Sequence, residues 1–173
     1  MRSRYGSAAV FILLTGMVPS CSRPTAKDLV VEKFACDSRE GVINQVGISI
    51  DSRIKKEGQG ALKIVVAEPA VVRLFETGDI DIEDAVLIYQ ARLRTEDIQG
   101  RVYLEMWCHF EGKGEFFSRG IDATLSGTTK WTRLEIPFFL KAGENPDSLK
   151  LNLVCEGTGT VWVDDIRLIK RAI

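Results

Sequence analysis

From residue 61 to residue 169 the chain repeats one pattern, short runs of alternating apolar and polar side chains, each closed by turn-forming residues. Period-two alternation sends successive side chains to opposite faces of a strand, so each run offers one face to a core and the other to solvent. The runs fall at residues 61–66, 71–76, 86–94, 102–110, 131–137, 149–155 and 160–169. Glu68-Pro69, Thr77-Gly78-Asp79, Gln99-Gly100, Gly112-Lys113-Gly114, Ser126-Gly127 and the stretch 143–146 separate them. Val42-Ile43 and Val46-Gly47-Ile48-Ser49-Ile50 form a shorter pair that leads into a polar turn at 51–60. A helix competes only over 84–96, and there Leu87, Tyr89, Ala91 and Leu93 alternate with Gln90, Arg92 and Arg94, which predicts a strand. Many short strands without intervening helical segments predict an all-β, antiparallel β-sandwich.

The first residues stand outside this pattern. Arg2 and Arg4 precede an apolar stretch at residues 8–18, broken only by Thr15 and Gly16, and no acid occurs before Asp28. Such a stretch, at about 1.5 Å per residue, falls short of the ~30 Å hydrocarbon core, so it reads as a secretory signal and not a membrane span. Val18-Pro19-Ser20-Cys21 resembles the bacterial lipobox, with Pro19 in a slot that usually holds Ala, Ser or Thr. The expected organisation is a lipoprotein signal peptide over 1–20, a lipidated tether over 21–28 beginning at Cys21, and one domain over 29–173. The expected location is extracytoplasmic, on the cell membrane or outer membrane through the lipid on Cys21. With 23 basic and 24 acidic side chains the net charge is near -1. That is too neutral for dense phosphate contact, so no nucleic-acid partner is expected.

With Cys21 assigned to lipid, Cys36, Cys108 and Cys155 remain, which allows at most one internal disulfide. Buried free thiols and a Cys108 to Cys155 bridge both stay open. His109 is the one histidine of the sequence, which excludes a His-rich metal site.

Three segments carry a resemblance. Glu57-Gly58-Gln59-Gly60-Ala61-Leu62-Lys63-Ile64, Thr128-Thr129-Lys130-Trp131-Thr132-Arg133-Leu134 and the 157–168 stretch with Trp162, Asp164 and Asp165 resemble, in order and spacing, strands of galactose-binding-like jelly rolls of the carbohydrate-binding-module type. The resemblance implies a jelly-roll sandwich over roughly residues 30 to 170, and a packing role for Trp131. It also implies a possible structural calcium held by Asp164 or Asp165 beside carbonyls of the 58–63 backbone, an ion that takes six to eight oxygens. One departure stands against the metal: the early acid expected beside Phe34 is absent, since Ala35 and Cys36 follow it. Fold does not settle function in such a family.

In residues 102–110 one parity gives Val102, Leu104, Met106, Cys108 and Phe110, and the other gives Tyr103, Glu105, Trp107 and His109. The first set is expected in the core and the second on the open face, where aromatic rings suit the C–H faces of a sugar and polar groups its hydroxyls. The alternative is that residues 116–119 cover Tyr103 and Trp107 as a second small core. Trp162 shares parity with Asp164 and joins the candidate ligand residues, with its exposure left open. No nucleophile motif is present, and Glu105 near His109 is the first pair to examine for glycan cleavage. The expected function is non-catalytic binding of a carbohydrate or glycan-like ligand. The alternative is a structural or assembly lipoprotein that holds another protein.

Overall fold

The computed structural model describes residues 28–173, so the signal, the lipobox and Cys21 lie outside the described residues. Among the described residues nine strands follow one another, and every pairing is antiparallel. They are β1 (Leu29–Phe34), β2 (Ile48–Asp51), β3 (Ala61–Val66), β4 (Ala70–Gly78), β5 (Ala85–Phe110), β6 (Gly114–Arg119), β7 (Leu125–Leu140), β8 (Ser148–Cys155) and β9 (Thr158–Ala172). The architecture is the expected all-β sandwich, an antiparallel sheet curled into two layers.

β5 belongs to both layers. Its first half lies between β7 and β9, whose other edge carries β1 and β3, with β2 beyond β3. Its second half lies between β8 and β6, with β4 beyond β8. The runs at 86–94 and 102–110, read from sequence as separate strands, are thus one strand of 26 residues. Gln99-Gly100 does not end it but bends it: Asp97 and Gly100 take φ of 53° and 118°, and the β5–β7 register slips between Thr95, Ile98 and Val102. A β-carbon on Gly100 would come 2.1 Å from the Glu156 carbonyl oxygen, so only glycine passes here.

The bend also changes which parity faces the core. Leu87, Tyr89, Ala91 and Leu93 are buried before it, and Val102, Leu104, Met106, Cys108 and Phe110 after it. β9 does the same at a bulge, where Asp165 has φ 51°: Val161 and Val163 are buried before it, Ile166 and Leu168 after it. The core lies between the layers, and burial of side chains of this kind is worth about 1.5–3 kcal/mol each. Cys36, Cys108 and Cys155 are buried free thiols, and burial pushes each up to about 12. The bridge left open by the sequence is not formed.

Candidate functional site

The open face of the layer β4–β8–β5–β6 can be built row by row from the strand registers. Arg73 lies opposite Asn152, Asn152 opposite Glu105, and Glu105 opposite Arg119. In the next row Glu76 lies opposite Lys150, Lys150 opposite Trp107, and Trp107 opposite Phe117. Beyond it, Ser148, His109 and Glu115 align. Tyr103, Glu105, Trp107 and His109 therefore share one face, as the parity of residues 102–110 requires.

Their burial is unequal because their neighbours are. Glu105 is 2% exposed, and its carboxylate accepts hydrogen bonds from Trp107 Nε1 (2.8 Å), Asn152 Nδ2 (3.0 Å) and Arg119 Nε (2.5 Å). Burial alone would raise its pKa, but these donors and the Arg119 charge outweigh burial and hold it below the usual glutamate value. Its role is to fix the Trp107 ring and the Asn152 amide. Trp107 is half-buried, and its ring lies 5.0 Å from that of Phe117 at 44°. Phe117 belongs to an edge strand and not to a covering loop, so residues 116–119 brace one side of Trp107 without burying it.

Tyr103 is buried, donates to Glu156 Oε1 at 2.9 Å, and lies beside Arg101, which itself pairs with Glu156. His109 Nδ1 lies 2.5 Å from Asp147 Oδ1, so the Glu105–His109 pair considered for glycan cleavage is not formed. Trp162 does not join this face. It is 1% exposed on β9 in the other layer, where Lys63 and Arg94 lie over its ring and Nε1 donates to Asp51 Oδ2 at 3.0 Å. Trp131, expected to pack, is half-buried on β7.

A depression of about 290 Å³ opens on the strip, lined by Val71, Arg73, Glu105, Trp107, Glu115, Lys150 and Asn152. Asn152 is 5% exposed, and with Nδ2 given to Glu105 its Oδ1 is buried with no hydrogen-bond partner. A buried acceptor without a donor costs about 1–3 kcal/mol, and a ligand hydroxyl would supply the donor once the amide turns toward the depression. Arg73 and Asn152 were missed by the sequence reading. Asn152 did leave a signal, because Leu149, Leu151, Leu153 and Cys155 take the core parity of β8 and leave Lys150 and Asn152 on the other face.

The calcium implied by the resemblance meets a different arrangement. Asp164 Oδ2 accepts the backbone amides of Lys56 (2.6 Å) and Glu57 (3.0 Å), and Oδ1 accepts that of Asp165 (2.7 Å). Asp37 Oδ1 accepts the amides of Gln59 (2.5 Å) and Gly60 (2.9 Å). Donors turned toward these oxygens present positive ends where a cation would have to stand. Asp165 is bonded instead to Arg167 Nε (2.5 Å), and the Lys33 ammonium lies between Glu57 and Asp165. These amide, guanidinium and ammonium donors take up carboxylate oxygens that the implied calcium would need, an arrangement that argues against the ion.

No family model and no curated protein matches this chain. Solved structures do. The chain is similar to the CBM22-1 xylan-binding domain of Paenibacillus barcinonensis Xyn10C, with 12% identity, TM-score 0.60, and coverage of 86% of this chain and 97% of that one. It is similar to the CBM22-1 and GH10 modules of Clostridium thermocellum endo-1,4-beta-D-xylanase 10B complexed with xylohexaose, with 12% identity, TM-score 0.61, and coverage of 84% and 29%. A family 16 carbohydrate-binding module follows, at 13% identity, TM-score 0.53, and coverage of 76% and 95%. At these identities the likeness shows the fold, the β-sandwich jelly roll of carbohydrate-binding modules.

Proposed function

We propose that the chain binds carbohydrate, without catalysis, in the depression beside Trp107. The observation that carries this reading is the pairing of a braced, half-exposed indole with an unpartnered acceptor on Asn152. A pyranose ring offers both complements, apolar C–H faces and hydroxyl donors. The xylan-binding and xylohexaose-bound neighbours support the choice of a xylose-based ligand as the first probe. A binding role also agrees with Glu105, whose carboxylate is held ionised by three donors and is poorly placed to give up or take a proton in a reaction.

Titration of the protein with xylohexaose is expected to give saturable heat and a change in tryptophan fluorescence. Absence of both would turn the reading to the assembly role. The surface for that role is then the aromatic mouth between β6 and β7, where Phe116 and Phe139 are 48% and 68% exposed around Phe110 and Phe138.

The proposal includes an extracytoplasmic setting through lipid on Cys21, supported by the signal-like residues 1–21 alone. Cys21→Ser is expected to abolish metabolic labelling with a fatty-acid analogue. Undiminished labelling of that variant would remove the anchor.

A further inference from the structure

We infer that the ligand of this face carries a carboxylate, as in a glycan with uronic acid units, and that Arg73 reads it. The inference rests on the carbohydrate reading above. It starts from how the cations of the face are used. Arg101 pairs with Glu156, Arg119 with Glu105, and Lys150 with Glu115. Arg73, exposed at the rim of the depression, makes no salt bridge and no side-chain hydrogen bond among the described residues. Among the charged residues that line the depression, Arg73 and Lys150 stand against Glu105 and Glu115, and Arg119 behind Glu105 already neutralises that carboxylate. Of the four cations Arg73, Arg101, Arg119 and Lys150, Arg73 is the one left without a carboxylate partner among the described residues.

Position supports the same conclusion. Arg73 is directly opposite Asn152 and two strands from Glu105, about 10 Å at ordinary strand spacing, with Trp107 in the adjoining row. A sugar lying on Trp107 would therefore turn a hydroxyl to the Asn152 Oδ1 and carry a substituent within reach of the guanidinium. A guanidinium meets a carboxylate through two parallel hydrogen bonds, a geometry that neither a hydroxyl nor a lysine reproduces.

The test compares a neutral xylo-oligosaccharide with the same oligosaccharide bearing one glucuronic acid branch, by calorimetric titration of the full chain at low and at physiological salt. The acidic probe is expected to bind about ten-fold tighter at low salt, with the advantage shrinking as salt rises, since an accessible ion pair is screened. Arg73→Gln is expected to bring the ratio of the two affinities to about one, and Arg73→Lys to restore part of it. Equal affinities in the native protein, or a ratio unchanged in Arg73→Gln, would overturn the inference and leave carbohydrate binding standing. Binding of neither probe would overturn the carbohydrate reading itself.

Discussion

Trp107→Ala is expected to weaken xylo-oligosaccharide binding ten-fold or more, because one well-packed aromatic contact contributes on the order of 1 to 3 kcal/mol. The same change should lower stability by about 1 to 3 kcal/mol, less than truncation of a core side chain. It removes one hydrogen bond to Glu105 and the contact with Phe117, both on the open face, and leaves the core between the layers intact. Met106 is the internal control. It precedes Trp107 on the same strand but points the other way and is 0% exposed, so Met106→Ala should cost ~2 to 5 kcal/mol of stability. Urea unfolding of both variants beside a titration separates the two faces. A strongly destabilised Trp107→Ala with a silent Met106→Ala would reverse the assignment of faces and remove the proposed surface.

That experiment tests what was legible in the sequence. The parity of residues 102–110 needs only the geometry of a single strand, and it places Tyr103, Glu105, Trp107 and His109 together without knowledge of any partner. What depended on partners was not legible. Arg73 reaches the depression because the β4–β8 register puts it opposite Asn152 and then slips between Arg73 and Phe75, a shift that nothing in residues 70–78 announces. Trp162 was open to exposure on parity alone, and its burial comes from Lys63 on β3 and Arg94 on β5, which lie directly opposite it. Gln99-Gly100 read as a turn because Gly and a change of parity mark turns and bends alike. Only the close approach of Glu156 and Gly157 shows that the strand continues. Residues 29–34 and 114–119 did not read as strands because both form edges, where the alternation that reveals a half-buried strand is weak.

Asp164→Ala is expected to lower stability by about 3 kcal/mol, roughly 10 °C in Tm, with or without a chelator present. Three carboxylates from three separate places hold the 52–60 loop. Asp51 accepts the amides of Arg53 (2.9 Å) and Ile54 (3.0 Å), Asp164 those of Lys56 and Glu57, and Asp37 those of Gln59 and Gly60. Gly58 completes the loop at φ 60°, where a β-carbon would stand 2.4 Å from Asp37 Oδ1. Asp164 is the central post and is buried, so its removal strands the two loop amides and that of Asp165 together. Asp164→Asn keeps one acceptor oxygen and should recover part of the loss. The amides of Gln59 and Gly60 hold the Asp37 carboxyl below its usual value of 3.8, and those of Ile54 and Arg53, with Trp162 Nε1, do the same for Asp51. A depressed carboxylate contributes stability above its unfolded pKa and loses it as pH falls through the folded one, so the loop should loosen below pH 3.8. Because amides and Lys33 already hold these carboxylates, a chelator is expected to leave the melting curve of the native protein unchanged. A chelator-induced drop in Tm that disappears in Asp164→Ala would show instead that the carboxylate holds a metal, and the amide clamp would no longer explain how the loop is closed.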